Sequence, residues 1–115
     1  MNTSPALTLS DLIAANASAG LNRLAAFEVI RAGEGSAEIR MPWNDGFTQY
    51  SGYLHAGMIA ALLDTACGFA AATNAGGVMA SHFSMNCLRP AVGQDGFGVG
   101  RLWCHAGNME QADCA

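Results

Sequence analysis

Lysine is absent from this 115-residue sequence, and charge of any kind is scarce: five arginines, nine acidic residues, 12% charged in all and a net charge of −4. That is about half the charged share usual for a soluble domain. The arginines, Arg23, Arg31, Arg40, Arg89 and Arg101, stand singly. With no basic stripe to neutralise phosphates, no nucleic-acid partner is expected. Cysteine pairs of the CxxC kind are also missing. Cys67, Cys87, Cys104 and Cys114 follow no framework, which reads as reduced, buried small hydrophobes of a cytoplasmic protein. Cys104 and His105 are adjacent, but neighbours on a strand point to opposite faces, so no metal site is expected. Ahead of Arg23 there is no basic residue and no long apolar run, so no signal peptide is read there.

What the sequence does have is apolar: 51% of its residues are hydrophobic. Such a chain must bury surface, which excludes disorder, and its length reads as one domain over residues 1–115. With so few charges to cover a small globule, part of the surface is expected to be a subunit interface. Leu54 to Ala72 is nearly continuous apolar sequence, long enough to cross a bilayer. Asp64 at its middle would cost roughly 2.5–3.5 kcal/mol there, and the nearest arginines are Arg40 and Arg89. A core helix of a soluble protein, with no membrane partner, is the expectation.

Along the chain, Leu9–Ala19 reads as a helix with Ser10 as N-cap and Gly20 as its stop. Leu24–Ala32 and Ser36–Met41 read as a hairpin around Gly33-Glu34-Gly35, and Pro42–Gly52 as a loop. His55–Thr73 is the long helix, ended at Asn74–Gly77. Val78–Leu88, Phe97–His105 and the run from Met109 read as strands, with a turn at Ala106–Asn108. Strands, one long apolar helix, then strands describe an α+β plan in which an antiparallel sheet wraps a central helix.

Between Gly46 and Leu88 the one formally charged side chain is Asp64. On a helical wheel, Gly57, Ala60, Ala61, Gly68 and Ala71 fall within roughly 60° of it, while Met58, Ile59, Leu62 and Phe69 fall opposite. The helix thus has a bulky face for its core and a small-residue face that lets another backbone or a thin ligand come close. A carboxylate among apolar groups is expected to have a raised pKa, as functional carboxylates do. The bland reading, a carboxylate that only fixes helix register, stands beside it. Gln49 lies ahead of the helix and His55-Ala56-Gly57 at its first turn, where free N–H groups can hold a developing oxyanion. Asp64 can serve as base or nucleophile. Within one helix the two lie about 12 Å apart, so acting together requires two subunits.

The run Gln49-Tyr50-Ser51-Gly52-Tyr53-Leu54-His55-Ala56-Gly57, with Leu62-Leu63-Asp64-Thr65-Ala66 and Cys87-Leu88-Arg89-Pro90-Ala91, resembles the hotdog-fold acyl-CoA thioesterases of the phenylacetate-degradation (PaaI-like) type. Gln49, His55 and Asp64 keep that family's spacing around its HGG turn. The resemblance implies a hotdog fold and hydrolysis of acyl-CoA thioesters at a homodimer interface, alone or in a homotetramer. No cofactor is implied beyond the coenzyme A of the substrate. It implies that Asp64 is the catalytic carboxylate, that Gln49 orients thioester or water, and that the N–H near Ala56 polarises the carbonyl with His55 beside it. Gly57, Gly68 and Ser81 are the expected substrate-binding positions.

The sequence departs from that pattern in three ways. Ala56 replaces the middle glycine of HGG. Ala80 stands where the family often has Ser or Thr, with Ser81 one residue off. The chain stops at Ala115, where the family continues, so C-terminal strands are expected to be missing. These departures motivate the alternative of a catalytically impaired acyl-CoA-binding, or purely oligomeric, hotdog protein. A hydratase or dehydratase on the same fold is weaker, for lack of a proline-rich turn after the histidine.

Overall fold

The computed structural model describes residues 6–76, 99–105 and 112–114. The predicted strand at Val78–Leu88 and the turn at Ala106–Asn108 lie outside them. Helix α1 spans Leu9–Ser18. Its N-cap is Thr8 rather than the expected Ser10. The Thr8 hydroxyl accepts from the Asp11 N–H at 3.2 Å, and the Asp11 carboxylate accepts from the Thr8 N–H at 2.9 Å. Such a reciprocal capping box satisfies two donors, whereas Ser10 could satisfy one. These bonds hold the exposed Asp11 carboxyl below its ordinary value of 3.8, the Thr8 backbone N–H contributing most.

The chain does not pass from Gly20 straight into a strand. A short second helix, α2 (Gly20–Leu24), follows Ala19 and ends where the Phe27 N–H reaches the Asn22 carbonyl at 2.9 Å. Strand β1 therefore starts at Glu28 and runs to Gly33, and β2 covers Ser36–Pro42. Their register pairs Val29 with Ile39 and Arg31 with Glu38, leaving Ile30 as the extra residue of a bulge. Glu34 and Gly35 turn the hairpin with φ of 52° and 80°, the left-handed pair that a two-residue hairpin loop requires. Strands β3 (Val99–His105) and β4 (Ala112–Cys114) complete an antiparallel sheet of order β1-β2-β3-β4.

Helix α3 covers Ala56–Ala75, as the apolar run predicts, and lies across β2 and β3. Alternation along β2 aims Ala37, Ile39 and Met41 at it, and they join Ala25, Phe27, Leu62, Ala66 and Ala70 in one buried cluster. The turn of the hairpin is fastened to the far end of α3. Buried Thr73 accepts the Gly35 N–H at 2.7 Å and donates to the Ala70 carbonyl at 2.7 Å. Together these elements form the expected α+β hotdog arrangement, an antiparallel sheet packed against one long helix.

α3 is long and apolar enough to span a membrane, but here it is the helix on which the sheet packs. Only 28% of Ala56–Asn74 is buried, however. Most of the rest is half-buried, and Gly57, Asp64 and Asn74 are its exposed positions.

The cysteines depart from expectation. Cys67, on α3 beside buried Ala66, is half of a disulfide rather than a reduced thiol. Spacing along the sequence could not reveal this, because the bond depends on which cysteines the fold brings together.

Candidate functional site

The segment read as a plain loop before α3 is in part a small hairpin. Thr48 bridges Leu54, the Gln49 N–H donates to the Tyr53 carbonyl at 2.6 Å, and the His55 N–H donates to the Phe47 carbonyl at 2.9 Å. Ser51 and Gly52, at φ of 60° and 74°, turn it between Tyr50 and Tyr53. The available signal was the Ser-Gly pair flanked by two tyrosines, a short hairpin pattern within a polar stretch. This hairpin delivers His55 to the N-cap of α3 in extended backbone.

At that cap the first four N–H groups of the helix, which have no intrahelical partner, are disposed of unequally. The Gly57 N–H donates to His55 Nδ1 at 2.8 Å. Those of Met58 and Ile59 donate to the His55 carbonyl at 2.9 and 3.3 Å. Among the described residues, the Ala56 N–H alone of the four has no acceptor. It sits at the positive end of a 20-residue helix, where partial negative charge is stabilised. Because Nδ1 is an acceptor, the ring proton in this arrangement is on Nε2.

The remaining expected site residues are spread around this point. Gln49 is exposed, and its amide makes only a long contact of 3.5 Å to the Leu54 carbonyl. Asp64 is two turns along α3 and exposed on the single chain. The expected apolar surround is therefore absent there. Its bulky sequence neighbours point to other faces, and Gly57, Ala60 and Gly68 are too short to cover a carboxylate. Gly57 is exposed and Gly68 half-buried. Among the described residues, a Cβ built at Gly68 would meet nothing within 4 Å. Within one chain the structure brings His55, Ala56 and Gly57 together at the cap, with Gln49 on the hairpin that precedes it, and leaves Asp64 apart. Ser81 lies outside the described residues. Among the described residues no three His, Cys, Asp or Glu side chains converge on a point, so no metal centre is assigned.

Comparison with known proteins follows the same lines. Residues 51–99 match the sequence profile of the Thioesterase superfamily. No protein of curated function matches the sequence significantly. Solved structures with a similar fold include a thioesterase family protein from Silicibacter pomeroyi, at a TM-score of 0.70 and 25% identity over 84% of this chain and 71% of that one. A thioesterase from Haemophilus influenzae superposes at 0.69, with 23% identity over 91% and 72%. The Escherichia coli PaaI protein from the phenylacetic acid degradation operon superposes at 0.68, with 18% identity over 84% and 70%.

Proposed function

We propose that this chain is a hotdog-fold thioesterase that hydrolyses acyl-CoA thioesters to the free acid and coenzyme A as a homodimer, alone or paired into a tetramer. The observation that carries this reading is the Ala56 N–H, the one donor of the first turn of α3 left without an acceptor among the described residues. A thioester carbonyl placed there accepts that bond, and the bond strengthens as the oxygen becomes an oxyanion. The Nε2–H of the exposed His55 ring can serve as a further donor. Asp64 supplies the base that takes a proton from attacking water, or the nucleophile itself. The carbonyl carbon gains an oxygen, the C–S bond breaks, and the sulfur leaves as thiolate and is protonated. Gln49 orients water or thioester.

Since Asp64 lies about 12 Å along the helix from Ala56, the carboxylate that completes each site comes from a second protomer. The exposure of Asp64 and the space beside Gly68 among the described residues support a partner there. The reading includes a cytoplasmic location, substrates of the kind PaaI-like enzymes handle, and Gly57, Gly68 and Ser81 lining the substrate. One residue favours a second reading, an acyl-CoA-binding protein without turnover: Ala56 puts a methyl group where the thioester must approach.

Free-thiol release from a panel of acyl-CoAs tests the proposal. Hydrolysis of at least one substrate is expected, with a large loss of kcat in Asp64→Asn. Undiminished activity in that variant sinks the assignment, and binding without hydrolysis at every chain length selects the second reading.

A further inference from the structure

The hairpin that delivers His55 to α3 carries a tyrosine, Tyr53, that no role above accounts for. Thr48 bridges Leu54, and the Gln49–Tyr53 and His55–Phe47 backbone bonds on either side fix the register. Gln49 therefore stands opposite Tyr53, and residues opposite one another in an antiparallel pair project from one face. His55, two residues past Tyr53, projects from that same face. Leu54 projects from the other and packs against the core cluster. Gln49, Tyr53 and His55 thus share the outward face, and all three are exposed.

The Gln49 amide lies across that face. Thr48 and Leu54 form the pair without mutual backbone bonds, whose carbonyls point away from the hairpin. To come within 3.5 Å of the Leu54 carbonyl, the Gln49 side chain crosses between Tyr53 and His55. Outward from the first turn of α3 the order is then His55, the Gln49 amide, Tyr53.

Charge decides which part of a substrate suits this face. From Gly46 to Leu63 there is no formally charged side chain, and the charges at either end, Asp45 and Asp64, are both acidic. Coenzyme A carries a diphosphate and a 3′-phosphate, which a stretch flanked only by carboxylates repels. Of the two arms of an acyl-CoA held by its carbonyl at the Ala56 N–H, the apolar acyl arm fits the uncharged, aromatic hairpin. Two residues of strand carry Tyr53 about 7 Å beyond His55. An extended chain rising about 1.2 Å per bond covers that distance in about six carbons.

Resting on the hydrolase reading above, we propose that Tyr53 forms the wall of an acyl subsite beyond Gln49 and selects chains of about six carbons or more. Shorter acyl groups end before they reach the ring. Its apolar surface, not its hydroxyl, makes the contact.

Acetyl-, butyryl-, octanoyl- and dodecanoyl-CoA are titrated calorimetrically into the full chain carrying Asp64→Asn, which reads affinity without turnover. Kd is expected to fall about tenfold or more between butyryl- and octanoyl-CoA, the gain from burying about two methylene groups. Adding Tyr53→Ala should flatten this step while acetyl-CoA binding stays within about twofold. Adding Tyr53→Phe should keep the step. Equal affinity for every chain length in the Asp64→Asn protein overturns the subsite without any tyrosine variant having to fold. A step that survives Tyr53→Ala overturns it too. So does a loss in Tyr53→Ala that is equal for acetyl- and octanoyl-CoA, which places the ring on the pantetheine arm. None of these results touches the hydrolase reading. That reading falls, and takes the subsite with it, if the wild type neither binds nor cleaves any acyl-CoA.

Discussion

The ring of His55 stands directly over Gly57. Its Nδ1 accepts the Gly57 N–H at 2.8 Å, and a Cβ at Gly57 would lie 3.0 Å from that nitrogen and 3.2 Å from Cε1. Glycine at this position thus serves the neighbouring ring rather than an unusual backbone. The ring, held there, occupies the second N–H of the helix and leaves the first one open.

Gly57→Ala tests this contact through a double-mutant cycle. In an unencumbered helix the change would stabilise by up to about 1 kcal/mol. Here it is expected to be neutral or destabilising, because the His55 ring must shift and the cap, worth about 1 kcal/mol, weakens. In a His55→Ala background the same substitution should stabilise. Thermal or urea denaturation of the four proteins reads the coupling, and equal effects in both backgrounds would show that the ring and glycine do not interact.

Ala56→Pro removes the open N–H and little else. Proline is well tolerated at the first helical position, and the preceding residue, His55, already has φ −63° and ψ 132°, the extended conformation that proline demands of its neighbour. The variant should fold with unchanged Tm yet lose thioester turnover by about 10²–10³. Mixed with Asp64→Asn after reversible dissociation, it should recover about a quarter of the wild-type activity if each site draws on both subunits. No recovery in verified heterodimers would place both groups in one subunit.

Thr73 is expected to matter for stability and not for chemistry. Thr73→Val keeps the shape but leaves the Gly35 N–H without its acceptor in a buried position, a loss of about 1–3 kcal/mol. Thr73→Ser keeps the hydroxyl and should retain most of the stability. Denaturant midpoints decide it, and a valine variant as stable as the serine one would remove the clasp from the account.

Acid should act on the amino-terminal helix through Asp11. The folded pKa of Asp11 is lowered below 3.8 by the Thr8 backbone N–H and hydroxyl, so the folded state favours the carboxylate. Its contribution is present above the unfolded value and is lost as pH falls through the lowered one. Between pH 5 and 2 the wild type should therefore lose more stability than Asp11→Asn, while the two keep a constant difference from pH 6 to 8. Parallel pH profiles over the whole range would contradict the capping box.

Much of the architecture was legible in the sequence because it is written in periodicity. The alternation of Ala37, Ile39 and Met41 and the unbroken apolar run of α3 announce a strand and a helix whatever surrounds them. The errors at the first helix came from competition among nearby caps. Thr8 and Ser10 are both acceptable hydroxyls, and Asp11 favours Thr8 by returning a bond to it. Gly20 read as a stop, but the chain starts a new turn there. The hairpin carrying Gln49 and His55 was missed because its single bridge, Thr48 to Leu54, leaves no room for a repeating pattern.

By itself the sequence determined the fold class, the position of the long helix and the identity of the residues at its first turn, since these depend on local spacing. Tertiary structure decided the matters that depend on contacts through space. It showed which of the four capping N–H groups is left open, since the other three are taken by a side chain and a carbonyl of one residue. It left Asp64 exposed on the single chain, where sequence neighbours suggested an apolar surround. It also recorded Cys67 as bonded where spacing suggested a free thiol. A side chain's environment is set by what packs against it from elsewhere in the chain, and that information is absent from the order of its neighbours.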